Sequence, residues 1–140
     1  KGILPQAAWN GDKDAVDLLV ACGAELHAVD RAGLSALMAA SHRGHATVVQ
    51  SLLRAQADIE QGLANGTTSL VLAAKFGHVK TVVKSLLDAK ANLRACKANG
   101  WTPLHVAARM GHGGVVRTLV ARNANVEGKN ATGQTALMLS

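Results

Sequence analysis

Two interleaved series of glycines divide this chain into units of about 33 residues, a period typical of repeat proteins. The first series consists of Gly33, Gly66, Gly100 and Gly133, and the second consists of Gly11, Gly44, Gly77 and Gly111. Within either series the step from one glycine to the next is constant to within one position. The offset from Gly33 to Gly44 is also the offset from Gly66 to Gly77 and from Gly100 to Gly111. In repeat proteins of this kind each unit buries its apolar faces only against its neighbours.

The same motif recurs around three glycines of the second series, Gly44, Gly77 and Gly111. Residues 102–112 read TPLHVAARMGH, residues 35–45 read SALMAASHRGH, and residues 68–78 read TSLVLAAKFGH. A Val-Val pair and a leucine-rich segment follow each motif. The copy at residues 102–112 resembles the ankyrin signature T-P-L-H-x-A-A-x-x-G-H at every fixed position. The resemblance extends over essentially the whole chain. It implies an all-α repeat solenoid of helix-turn-helix units joined by β-hairpin-like turns.

Elementary helix chemistry supports the same assignment. Thr102 and its counterparts Thr68 and Ser35 are placed to cap a first helix, and Pro103 suits the first helical turn. Gly111 suits a left-handed residue at the end of that helix. The Val and Leu residues then recur at helical spacing and predict a second helix with one buried face.

The repeat register predicts five segments. They are a partial repeat at 1–32, a repeat at 33–65, a repeat with one inserted residue at 66–99, a repeat at 100–132, and a truncated repeat at 133–140. The insertion lies between His78 and Val82, where three residues stand in place of two. We expect it to form a bulge between the two helices or an early turn of the second. Since neither outer segment has an obvious polar cap, we also expect the chain to be part of a longer array.

Composition limits the classes of function. The longest apolar runs are far shorter than the roughly 18 residues that a membrane span requires, and residues 1–5 do not resemble a signal peptide. Cys22 and Cys96 lie about two repeats apart, which argues against a disulfide and favours free thiols in a reducing, intracellular compartment. The formal net charge of +6 bears on partners and solubility rather than on the fold.

Six histidines raise the question of a metal site. His45, His78 and His112 share one repeat position, and stacked helices about 10 Å apart cannot bring two of them onto one ion at roughly 2 Å each. We expect these rings, and that of His105, to form hydrogen bonds that stabilise the stack. No nucleophile motif, zinc-protease motif or phosphate-binding loop is present. We therefore expect neither a catalytic site nor a cofactor.

The resemblance implies instead a concave binding surface formed by the first helices and the turns. Its variable positions lie just before each Gly-His pair and beside each turn glycine. In this chain the candidate partner-binding residues are Trp9, Arg31, His42, Arg43, Lys75, Phe76, Trp101, Arg109 and Met110. They include every aromatic residue of the chain, and aromatic and arginine side chains are the usual anchors of protein interfaces.

The family usually has Asp three residues before the turn glycine. Asp30 keeps this residue, whereas Leu63, Lys97 and Asn130 replace it in the later turns. We expect those three turns to be less rigid.

The functional hypothesis is a non-catalytic protein-interaction module that binds a partner with an acidic or mixed surface. The alternative is a structural subunit of a larger assembly that contacts its neighbours through edges and ends. Nucleic-acid binding is disfavoured, because the basic residues do not form runs and the aromatic residues are few and far apart.

Overall fold

The computed structural model describes residues 3–77, 82–93, 100–122, 128–129 and 133–139. Within these residues the chain forms two layers of short helices. The first helices of the repeats are α1 (Ile3–Asn10), α3 (Ala36–Arg43), α5 (Ser69–Lys75), α7 (Pro103–Arg109) and α9 (Ala136–Leu139). The second helices are α2 (Lys13–Ala21), α4 (Ala46–Arg54), α6 (Lys84–Asp88) and α8 (Gly113–Ala121). Each first helix packs on the next first helix, and α4 lies between α2 and α6 in the second layer. The predicted all-α solenoid is confirmed.

The ends of the first helices follow the sequence prediction. The side chains of Ser35, Thr68 and Thr102 accept hydrogen bonds from the backbone N–H three residues later. Pro103 occupies the first turn of α7. Gly44 ends α3 with a φ of 78°, and the other glycines of both series also have positive φ. Since this left-handed conformation is costly for residues with a Cβ, the period of the glycines is the period of the fold.

Most of the core is a continuous aliphatic cluster shared by the two layers, and Leu34, Met38 and Leu72 form a smaller second cluster. The fully buried members of the larger cluster include Leu37 and Leu70 from the first helices and Leu52 and Leu86 from the second. Alanines at equivalent positions of α3, α5 and α7 are also buried, and their small side chains let neighbouring helices approach closely. No unit encloses this cluster alone, so its burial depends on stacking.

The turn at Asp30 shows why an aspartate suits this position. Its Oδ1 accepts hydrogen bonds from the N–H groups of Ala32 (2.8 Å) and Leu34 (3.0 Å). The turn at Leu63 keeps the equivalent backbone bonds, and Asn65 Oδ1 accepts from Thr67 N–H instead. The side-chain oxygen of Asn65 therefore takes the place of the Asp30 carboxylate at this turn. The relative rigidity of the turns stays a prediction. Residues 97 and 130 lie outside the described residues.

The insertion predicted at residues 79–81 also lies outside the described residues. The chain resumes at Val82 and Val83, which form a π-helical turn leading into α6. Both side chains are fully buried. A π-turn is wider than an α-turn by one residue, so the second helix of this repeat starts differently from α4 and α8. None of the described helices is long and apolar enough to cross a membrane.

Candidate partner-binding face

The last residues of α1, α3, α5 and α7 lie side by side on one edge of the helix stack, since these helices pack in that order. We call this surface the first-helix face. It is formed by the two residues before each glycine of the second series, namely Trp9, Asn10, His42, Arg43, Lys75, Phe76, Arg109 and Met110. Trp9 and His42 are half-buried, and the other six are exposed.

Three rings on this face form a continuous row across the repeats. The ring centroids of Trp9 and His42 are 4.9 Å apart, with the planes tilted by 38°. Those of His42 and Phe76 are 4.2 Å apart and tilted by 39°. The separation of Trp9 and His42 lies within the range of about 4.5–7 Å that is favourable for aromatic pairs, and that of His42 and Phe76 is slightly shorter. The row therefore joins three successive first helices, and its last ring, that of Phe76, is 40% exposed.

Two cations lie against the outer rings of this row. The guanidinium carbon of Arg43 is 4.9 Å from the centroid of the Trp9 ring. The ammonium nitrogen of Lys75 is 5.4 Å from the centroid of the Phe76 ring. Both distances are within the range of a cation–π interaction. The five sequence-predicted residues of α1, α3 and α5 thus form one connected group.

Histidines of the following repeats fix the backbone beneath this group. His45 Nε2 lies 3.0 Å from the carbonyl oxygen of Trp9, and His112 Nε2 lies 3.0 Å from that of Lys75. Each ring therefore donates an N–H bond to the preceding repeat, as the sequence predicted for this position. His78, the third histidine of the series, lies outside the described residues.

The remaining predicted residues lie apart from the row of rings. Arg109 and Met110 are exposed at the end of α7, one repeat beyond Phe76. Arg31 is exposed in the hairpin turn that precedes α3. Trp101 is half-buried in the turn before α7, with its ring 6.3 Å from that of His105. The structure thus concentrates the predicted site on α1, α3 and α5 and leaves these four residues as flanking positions.

A comparison with known protein families identifies the family of this chain. The sequence matches the family described as ankyrin repeats (3 copies) over residues 4–95 and 80–140. The chain belongs to the ankyrin-repeat family. No curated protein matches it.

The histidine of the ankyrin T-P-L-H motif has a structural part in this chain. His105 is 1% exposed, and its Nδ1 accepts a hydrogen bond from Thr102 N–H at 3.2 Å. Its Nε2 lies 3.0 Å from the carbonyl oxygens of Gly128 and Gln134. This ring closes the cap of α7 and joins it to the next turn. Groups of three or more metal-binding side chains do not occur among the described residues.

Sequence reasoning missed how the ankyrin first helices interlock. In two cases the residue just before a glycine of the second series lies against the residue two before the glycine of the preceding repeat: Arg43 against Trp9, and Phe76 against His42. The alignment of the repeats places a ring or a cation in at least one of the two positions before each of these glycines. The contact itself depends on the reach of side chains between helices, which an alignment of one chain with itself does not contain.

Proposed function

We propose that this chain is a non-catalytic protein-interaction module that binds a partner through its first-helix face and the adjoining turns. The observation that supports this most is the row of Trp9, His42 and Phe76 with Arg43 and Lys75 against its outer rings. Ankyrin repeats generally bind proteins, and membership of the family sets the class of function. The ring and cation contacts support the further proposal that the binding surface lies on the first-helix face.

The chemistry of this face suits an interface anchor. Aromatic and arginine side chains contribute most where they are held in place before binding, because less conformational freedom is then lost. The ring contacts hold Trp9 and His42, and the backbone beneath them is fixed by the bond from His45 to Trp9. A partner would therefore meet a surface that is already ordered.

A second candidate function is a scaffold that contacts its neighbours through its edges. The second helices expose large apolar side chains, with Leu18 of α2 66% exposed and Val120 of α8 43% exposed. Single exposed apolar residues are ordinary on protein surfaces. These two are nevertheless the residues through which the second-helix layer would dock.

Affinity capture with two matched double variants separates these functions. Phe76→Ala with Arg109→Glu removes an exposed apolar group and reverses one charge on the first-helix face. Leu18→Ser with Arg117→Glu makes the same kinds of change on the second helices, where both residues are exposed. We expect the first variant to lose the bound partner and the second to retain it, with both showing wild-type circular dichroism. Loss of the partner only in the second variant would favour the scaffold and refute binding through the first-helix face.

Free thiols also suit a reducing compartment, which we include in the proposal. Cys22 is an exposed free cysteine at the end of α2. Cys96 lies outside the described residues.

A further inference from the structure

The charges of this chain are segregated between its two layers. Helices α1, α3, α5 and α7 contain no Asp or Glu. On the first-helix face they present the three exposed cations Arg43, Lys75 and Arg109. The acidic residues lie before or in the second helices, or in the segments that follow them, at positions 12, 14, 17, 25, 30, 58, 60, 88 and 127. The first-helix face is therefore positive although acidic residues are present in the same repeats.

Two acidic residues lie near this face. Asp12 follows Asn10 by two residues, and its side chain caps α2 by accepting a hydrogen bond from Ala15 N–H. The other is Asp30, in the hairpin turn beside Arg31. Its Oδ1 already accepts hydrogen bonds from the N–H groups of Ala32 and Leu34. This carboxylate is thus engaged in bracing the turn.

The cations of the first-helix face have no described acidic partner. The ion pairs among the described residues join Lys13 to Asp17 and Arg122 to Asp88, both at 2.6 Å. Both involve the second helices, and the hydrogen bond from Lys13 holds the pKa of Asp17 below its ordinary value. Intramolecular pairing therefore occurs in the second-helix layer, while Arg43, Lys75 and Arg109 remain available to a ligand.

The rings determine how these cations would meet a ligand. The Arg43 guanidinium lies over the Trp9 ring, and Arg groups that stack on rings keep N–H donors at their edge for carboxylate oxygens. Because Arg43 and Lys75 already occupy positions over Trp9 and Phe76, the rings are poorly placed to bind a cationic ligand. The same crowding disfavours stacking of nucleic-acid bases.

The repeat spacing sets the pattern of charge that a ligand must carry. Packed helices lie about 8–10 Å apart, so the backbone positions of Arg43, Lys75 and Arg109, at the ends of α3, α5 and α7, follow one another at about that step. A polyproline II segment rises about 9 Å per turn of three residues, and its side chains at every third position point the same way. A bound helix would need a hydrophobic groove, whereas cations interrupt the apolar surface of this face.

We propose that the first-helix face binds an extended, polyproline II-like acidic peptide segment with carboxylates at every third residue. One carboxylate binds Arg43, the next Lys75 and the third Arg109, while the backbone of the segment crosses the row of rings. This proposal rests on the proposed function and adds the chemistry and the charge spacing of the partner.

Fluorescence anisotropy with labelled peptides tests the spacing. The first peptide has Glu at positions 1, 4 and 7 of a Pro- and Ala-rich seven-residue core. The second has the same composition with its three Glu adjacent, and the third has Glu seven residues apart in a helix-forming sequence. We expect the first to bind at least about fivefold more tightly than the others at 0.15 M salt, where non-specific attraction is screened. Equal binding of all three, or preference for the third, would overturn the proposal.

Two charge-reversed proteins test the location. Arg43→Glu with Lys75→Glu changes the first-helix face, and Lys84→Glu with Arg117→Glu makes the same change of net charge at exposed positions of the second helices. We expect the first variant to lose about tenfold or more in affinity for the first peptide and the second to stay within about threefold of wild type. Equal losses in the two variants would show that net charge alone attracts the peptide and would overturn the proposal. A DNA duplex that binds through Arg43 and Lys75 more tightly than the first peptide would also overturn it.

The outcome remains separable from that of the proposed function. If no acidic peptide binds, yet Phe76→Ala with Arg109→Glu loses the captured partner, the acidic segment is refuted and the interaction face stands. If the captured partner is retained by that variant and lost by Leu18→Ser with Arg117→Glu, the proposed function itself fails.

Discussion

The imidazole of His112 occupies the space in which a side chain at Gly77 would lie. A Cβ at Gly77 would be 2.8 Å from ring atoms of His112, and the same relation joins Gly11 to His45 at 2.6 Å. Gly77 also has a φ of 72°. This glycine is thus needed for two independent reasons, the left-handed backbone that ends the first helix and the close approach of the next repeat.

Gly77→Ala and Gly111→Ala separate these two reasons. Gly111 has a φ of 77°, and a Cβ there would meet nothing within 4 Å. We expect Gly111→Ala to cost about 1–2 kcal/mol through the left-handed backbone alone and Gly77→Ala to cost about 1–3 kcal/mol more through the overlap. Urea unfolding followed by circular dichroism measures both. Equal losses in the two variants would show that the ring moves aside freely.

The left-handed backbone at Gln56 and Lys90 makes these two positions suitable for stabilising substitutions by glycine. Both follow a second helix and have positive φ, at 66° and 71°, whereas Gly23 has the same role after α2 with a φ of 87°. Replacing Gln56 by Gly should raise the free energy of unfolding by about 1 kcal/mol, because glycine adopts this conformation without strain. Gly23→Ala, where a Cβ meets nothing within 4 Å, should lower it by a similar amount. A melting temperature unchanged by Gln56→Gly would contradict this reasoning.

Leu104 and Leu137 occupy the same position of the motif in successive repeats and differ in burial. Leu104 is 3% exposed and Leu137 is 83% exposed. We expect Leu104→Ala to cost about 2–5 kcal/mol as a core truncation and Leu137→Ala to change stability by less than about 0.5 kcal/mol. Thermal unfolding of the two variants beside wild type gives both values. A loss for Leu137→Ala as large as that for Leu104→Ala would mean that burial does not decide the cost.

Asp30 and Asn65 stabilise their turns by different oxygens. Asp30 Oδ1 accepts two backbone N–H bonds, whereas Asn65 Oδ1 accepts from the N–H and the hydroxyl of Thr67. Because bonds to a carboxylate are stronger than bonds to a neutral amide, Asp30→Ala should cost about 1–2 kcal/mol and Asn65→Ala less. Hydrogen exchange at Leu34 N–H and Thr67 N–H reports each turn separately. Faster exchange at Thr67 than at Leu34 in wild type would fit the expectation of a less rigid second turn.

Features that depend on one residue type were predictable from the sequence. Ser35, Thr68 and Thr102 cap their helices, as these residue types favour. Gly111 likewise has the left-handed backbone that glycine favours at the end of a helix. The left-handed conformations of Gln56 and Lys90 were not predictable, because neither residue type signals them. The glycine pattern therefore predicted the ends of the first helices, but it did not predict how the second helices end.

The candidate site was predictable as a set of positions but not as a set of contacts. The contact of Trp9 with His42 joins equivalent positions of two repeats. Lys75 is the equivalent residue of the next repeat, yet the ring of that repeat that contacts His42 belongs to Phe76, one position later. The pairing of Arg43 with Trp9 has the same offset. Such an offset arises from the direction in which side chains leave two packed helices, and it becomes visible only when both helices are placed.

The bonds from His45 to Trp9 and from His112 to Lys75 end on carbonyl oxygens, which every amino acid possesses. The hydrogen bonds between repeats therefore do not depend on which side chain is present at these positions. Tryptophan at position 9 and lysine at position 75 occupy equivalent places in the array, and the bond that joins each to the following repeat is the same. Recognition of a new ligand can thus evolve, or be engineered, by exchanging these side chains one repeat at a time, with the architecture inherited unaltered.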